Sequence, residues 1–238
     1  MAVMLASGLA PDTQAANPGY DRPGLGFSPA VLPIGDVTWE QGLPDWSETD
    51  GTSIYTADSV LRIGVGGAFE LQLGTSYDRL SASVGSASGR GSSSLGVKFA
   101  LPASGDLGWG LLGTVTFTDG ARAFRADDPQ YQVGAVVNLA VNPRDTVGAY
   151  FEVDRTGGNT GGLVALNASR ALSDKFDAYV EVAWQHVADA GNGNMAGAGV
   201  AWLVTPRVQL DGSFRHRIDG AADTWQAGLG VSVWFGTR

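Results

Sequence analysis

Between Gly35 and Phe235 the chain divides into twelve short segments in which apolar residues alternate with small or polar ones. A strand sends successive side chains to opposite faces, so each segment carries one apolar face and one mixed face. In the stretch 175–187, Phe176, Ala178, Val180, Val182 and Trp184 share one parity, whereas Asp177, Tyr179, Glu181, Ala183 and Gln185 share the other. Bulky aromatics gather at the segment ends, which is the pattern of a transmembrane β-barrel. The alternation predicts strands over 35–46, 54–65, 67–77, 92–101, 108–119, 129–141, 144–155, 161–171, 175–187, 193–204, 207–217 and 222–235. Most match the nine to eleven residues a tilted strand needs to cross hydrocarbon, and an even number suits a single-chain barrel. The expected fold is all-β, a 12-stranded antiparallel up-and-down transmembrane β-barrel over 35–238.

Composition narrows the function classes. A chain of 238 residues suits one all-β domain. Only 16% of residues are charged and 35 are glycine. No run of eighteen apolar residues occurs, which excludes a membrane helix. A barrel hides its apolar residues in alternate positions, so a mean hydropathy of +0.01 is compatible with a bilayer. The net charge of -9, without a Lys/Arg cluster, argues against nucleic acid as a partner. The absence of cysteine excludes disulfides and thiolate metal sites.

Met1 to Ala10 is apolar, and Thr13-Gln14-Ala15 before Ala16 places small residues where a signal peptidase cleaves. Residues 1–16 are therefore expected to be a signal peptide, shortened at its start because no Lys or Arg precedes the apolar stretch; an unstructured terminus is the alternative. Residues 17–34 carry Pro18, Pro23, Pro29 and Pro33, too many for a ladder strand. They are expected to form an irregular segment in the lumen or at the periplasmic mouth, a candidate plug.

Links after the even strands are mostly tight turns, such as Gly66-Gly67 and Thr205-Pro206-Arg207. Those after the odd strands are expected to be longer or more polar, as in 47–53, 78–91 and 120–128. Short periplasmic turns alternating with longer outer loops would put both termini in the periplasm. The aromatics then fall into two interfacial belts. Trp39, Phe69, Phe99, Trp109, Phe176, Trp202 and Phe235 form one, and Tyr55, Tyr77, Phe117, Tyr131, Trp184, Phe214 and Trp225 the other. In lipid every backbone N–H and C=O must pair within the protein, so the first and last strands should meet.

The inward parity carries Glu40, Asp58, Arg62, Glu70, Lys98, Glu152, Asp154, Glu181, Asp211 and Arg215. Two readings stay open: a salt-bridged network that fills a narrow lumen, and a mildly acidic pathway that guides a solute. Twelve strands lie between small packed barrels and open porins, so both can hold. Glu40, Arg62, Glu70 and Lys98 sit on four consecutive strands at similar distances from one end. Neighbouring strands are about 4.8 Å apart, so these side chains should meet as a lumenal charge cluster. Arg22 could join them and tether the plug.

Enzyme chemistry has little support. His186 and His216 share parity with the apolar positions of their strands, where a membrane-embedded hydrolase would place them. Ser213, however, lies on the opposite parity from His216 and no acid is in register. Gly197 to Gly199 and Gly228 to Gly230 open no helix, so they are not nucleotide fingerprints, and no cofactor is expected. The competing classes are an autotransporter-type translocator fragment and a structural or adhesive barrel.

Asp21-Arg22-Pro23, Leu32-Pro33-Ile34-Gly35, Leu61-Arg62-Ile63-Gly64, Phe69-Glu70-Leu71-Gln72-Leu73-Gly74 and Leu95-Gly96-Val97-Lys98 together resemble the outer-membrane transporters catalogued with the meta-pathway of phenol degradation. The resemblance runs from about Asp21 to the end. It departs at Ser92, where the family often has an acidic residue. It implies a porin-like channel or uptake protein of the bacterial outer membrane for small, aromatic or other hydrophobic solutes, reached by passive diffusion through the charged lumen. Outer-membrane lipid and the barrel-assembly machinery are the implied partners. The aromatic near the C-terminus, Phe235, resembles the assembly signal, with Gly236, Thr237 and Arg238 following it.

Overall fold

The computed structural model describes residues 18–101 and 105–236. The expected signal peptide, 1–16, lies outside them. Fourteen strands form one antiparallel sheet: β1 (Val37–Gly42), β2 (Asp45–Thr49), β3 (Thr52–Gly66), β4 (Phe69–Ala82), β5 (Gly85–Arg90), β6 (Ser94–Ala100), β7 (Leu107–Thr116), β8 (Gln130–Ala140), β9 (Asp145–Thr156), β10 (Asn159–Ser173), β11 (Phe176–Val187), β12 (Gly191–Thr205), β13 (Val208–Gly220) and β14 (Trp225–Phe235). From β6 to β14 neighbours in sequence pair in order, β3 and β4 pair with each other, and β14 closes the sheet against both β1 and β2.

Twelve staves arise from fourteen strands because two staves are broken. β1 and β2 pair with the same neighbours, β3 and β14. Gln41 faces Ser59 and Asp45 faces Thr56, so four steps on the first stave answer three on β3. The extra residue falls at Leu43-Pro44, where proline has no N–H to give the ladder. This bulge switches parity. Glu40 and Gly42 point inward before it, and Asp45 points inward after it, which sends Trp46 out beside Tyr55. β5 and β6 are likewise one stave, with a single extra residue opposite β4 between Arg90 and Ser94.

The expected strands are all present. The links, however, depart from the expected length asymmetry. Polar stretches at 47–53 and 78–91 continue the ladder as hairpins, leaving tips of only Asp50-Gly51 and Ser83-Val84. Backbone pairing satisfies N–H and C=O as well for serine or threonine as for valine, so polarity did not end these strands. Asp50 and Gly51 both have positive φ, 49° and 83°, the conformation of a tight Asp-Gly hairpin turn. The link 117–129 is the long one. Asp119 accepts hydrogen bonds from the backbone and the hydroxyl of Ser93, both 2.8 Å, and from Arg90. These bonds lower its carboxyl to about 2.

Both belts face outward. Phe69, Phe99 and Trp109 stack in sequence near the end that holds the termini, with centroids 5.1 and 5.7 Å apart. At the opposite end Phe214 lies 5.3 Å from Trp225, on which His216 stacks at 3.9 Å. Between the belts the outer surface is apolar, for example Val182, half exposed, and Leu229. An arginine at Val182 is expected to lose about 2–4 kcal/mol of folding stability, and one at the outward-facing Leu139, at the edge of the span, about 0–1 kcal/mol. Urea unfolding in phospholipid bilayers measures both, and equal losses at the two depths would contradict the bilayer placement.

Candidate functional site

Residues 18–36 contain no strand and run through the inside of the barrel, bonded to its wall at several points. Asp21 and Arg22 are adjacent and point in opposite directions, so each builds its own charge cluster. The first cluster is the one expected on the inner faces of β1, β3, β4 and β6. Arg62 makes a two-pronged contact with Glu70, Nε to Oε1 at 2.7 Å and Nη2 to Oε2 at 3.0 Å, and its Nη1 donates to Glu40 at 2.7 Å. Lys98 lies 3.5 Å from Glu70. The expectation that Arg22 would join this cluster is corrected: Asp21 does, 2.8 Å from Lys98 Nζ and 3.4 Å from Arg62. Glu40 also accepts the backbone N–H groups of Asp21 and Arg22. Arg62, Glu70 and Lys98 have no exposed surface.

Arg22 builds the second cluster from residues that the alternation places on distant strands. Its guanidinium donates to both oxygens of Asp45 at 2.9 Å, to Asp58 at 3.1 Å and to Asp211 at 3.3 Å. A further bond reaches the Leu229 carbonyl beside the bulge. Asp45 was missed as an inner residue because strict alternation carries no trace of the parity switch; Pro44 inside a strand pattern was the available signal. Gly230 lets the guanidinium lie against the wall, since a Cβ there would stand 2.2 Å from Arg22 Nε.

The segment then crosses the lumen. Arg215 bridges Glu181 at 2.6 Å and the Pro23 carbonyl at 2.9 Å, and Glu181 accepts the Leu25 N–H. Phe27 meets Tyr150 edge to face at 5.8 Å. The Ser28 and Ala30 carbonyls accept from Lys98, and the Leu32 N–H donates to Glu70. At Gly64 a Cβ would stand 1.9 Å from the Pro33 carbonyl, so only glycine admits the segment there.

Of the predicted inner residues, Glu152 and Asp154 stand apart from both clusters: Glu152 accepts the Tyr150 hydroxyl and Asp154 accepts Gln130. A cavity of about 450 Å³ lies on the side of the segment away from the termini, with Asp58, Gln132, Glu152, Arg215 and Gln226 in its wall. A smaller one, about 180 Å³, lies on the other side against Asn138, Asn167 and Ser169. The histidines face outward; His216 Nδ1 bonds the Thr224 carbonyl and His186 Nδ1 bonds Asn192.

An antiparallel closed barrel with an apolar exterior, two aromatic belts and a charged, partly filled lumen defines a transmembrane β-barrel of the outer-membrane type. Residues 20–235 match the family described as the MetA-pathway of phenol degradation, and the chain belongs to that family. Among solved structures, it resembles the COG4313 outer membrane channel from Pseudomonas putida F1, with 13% identity, a TM-score of 0.69, and coverage of 86% of this chain and 97% of that one. It also resembles the KdgM porin, with 7% identity, a TM-score of 0.57, and coverage of 85% and 99%. The translocator domain of the autotransporter NalP from Neisseria meningitidis is similar at 16% identity and a TM-score of 0.52, with coverage of 84% and 88%. No curated protein sequence matches the chain.

Removing one partner from a buried ion cluster leaves the others charged and unpaired, at a cost of roughly 3–5 kcal/mol. Arg62→Met is expected to destabilise the barrel by about that amount. Urea unfolding in bilayers checks it, and a loss within measurement error would show that the cluster contributes nothing net.

Proposed function

We propose that the barrel is a passive channel for small solutes, including aromatic and other hydrophobic ones, and that the segment 17–34 is a plug set across its lumen. The observation that carries this reading is the pair of cavities on opposite sides of the segment. A purely structural barrel has no need of space there, and the segment is held by side-chain contacts rather than woven into the sheet. The family and the fold shared with channels and porins support the same reading. The family's description names phenol degradation, from which we take the aromatic solute class. In this reading Glu152, Asp58 and Arg215 line the outer vestibule. Glu40, Arg62, Glu70, Lys98, Glu181 and Asp211, all buried, hold the plug.

Arg22 is the tether of this scheme, since it joins the segment to β2, β3 and β13 at once. Arg22→Gln keeps some hydrogen bonding and loses the charge. It is expected to loosen the segment and raise open probability in planar bilayers, with the barrel still folded by heat-dependent gel mobility. Unaltered conductance would count against the tether. The channel itself is tested by the parent protein in the same bilayers. Block or current modulation by aromatic acids supports it, and neither conductance nor solute-dependent block, with the segment intact or removed through Pro33, would sink it.

A further inference from the structure

The two cavities are divided by a particular part of the segment. Residues 21–27 border both, and Asp21 and Arg22 are fastened to charged walls. On the β1–β6 side the cross-section is filled by Arg62, Glu70 and Lys98, all fully buried. On the β13–β14–β2 side stand Arg22 and its three aspartates, of which Asp211 is buried and Asp45 and Asp58 are partly exposed to the larger cavity. On the remaining wall the Phe27 side chain makes an apolar contact, beside the polar bonds that β11 gives to Pro23 and Leu25. Phe27 packs with Val136, Tyr150, Ala165 and Ala183, while Leu25, Leu112 and Leu163 lie against that cluster.

The Phe27 ring sits in a socket that the sequence leaves open for it. A Cβ on Gly110 would stand 3.3 Å from the ring and one on Gly134 would stand 3.2 Å from it. Gly134 would also come 2.8 Å from the Tyr150 hydroxyl. The apolar cluster then continues away from the segment through Met195 to Ala222, in the link between β13 and β14. This cluster is buried packing that runs from the outer link down to Phe27. Beyond Phe27 the wall becomes polar again at Asn138, Asn167 and Ser169. Asn138 Oδ1 is buried and makes no hydrogen bond among the described residues.

Building on the channel reading, we propose that Leu25 and Phe27 form an apolar collar that is the selectivity constriction of the lumen. An apolar constriction sheds water, which obstructs a hydrated ion while costing an apolar solute little. The collar therefore favours solutes with an apolar body. Leu25 is anchored by its backbone N–H to Glu181, so its side chain can change while the segment keeps its path.

The test uses the full chain in planar bilayers in potassium chloride. Phe27→Ser and Leu25→Ser are expected to raise ion conductance severalfold, and Phe27→Leu, which keeps the collar apolar, is expected to conduct as the parent does. Should Phe27→Ser fail to fold by heat-dependent gel mobility, Leu25→Ser carries the same test. Serine variants that conduct like the parent, while Arg22→Gln conducts more, would overturn the collar and leave the plug standing. If neither the serine variants nor removal of the segment changes conductance, the plug falls and the collar with it.

Discussion

A backbone inside hydrocarbon has no water to bond with, and every unpaired N–H or C=O there costs several kcal/mol. The rest of this structure depends on that constraint. It requires β14 to meet the first stave, and it does so from Val37 opposite Phe235 to Glu48 opposite Trp225. Only the proline bulge interrupts the seam, and even there the Leu43 N–H reaches the Leu229 carbonyl at 2.9 Å. At the terminal end Asp36 accepts the Trp234 indole N–H at 3.1 Å, which fixes an inward tryptophan where the sheet closes.

Closure creates an interior in which charges are cut off from bulk water, and the sequence fills one side of it with arginine, lysine and carboxylates. Isolated, each would be expensive to bury; together they use most of their bonding capacity on one another and on the backbone of the segment. Arg62 alone bonds Glu40, Glu70 and the Gly19 carbonyl. The clusters therefore do two things at once. They satisfy the wall's own charges, and they specify one path for a segment that has no strand or helix to specify it.

Much of this was legible in the residues. Alternation gave the staves and the inner face, so Glu40, Arg62, Glu70 and Lys98 could be placed together from register alone. What alternation cannot carry is a change of parity, and that is why Asp45 went unseen until the bulge at Leu43-Pro44 turned it inward. Nor can a period of two say where an irregular segment goes. Asp21 and Arg22 are neighbours in a proline-rich stretch, and which of them faces the first cluster depends on local backbone direction rather than on residue type. Strand ends are hidden for a different reason: serine, threonine and aspartate at 47–53 and 78–91 look like loop, but above the apolar band a hairpin is free to be polar on both faces.

The segment is held unevenly. On the β1–β6 and β13–β14 walls it is fixed by charged hydrogen bonds, which are directional and weaken as donor and acceptor fall out of line. On the β8–β10 wall it rests on apolar contacts, which tolerate sliding because they have no preferred angle. Any rearrangement that keeps Asp21 and Arg22 in place should therefore begin at Leu25 to Phe27, where Gly24 and Gly26 flank a single leucine. Under the proposed channel reading, a path along that one wall would leave intact the ion clusters that hold the barrel's other side together.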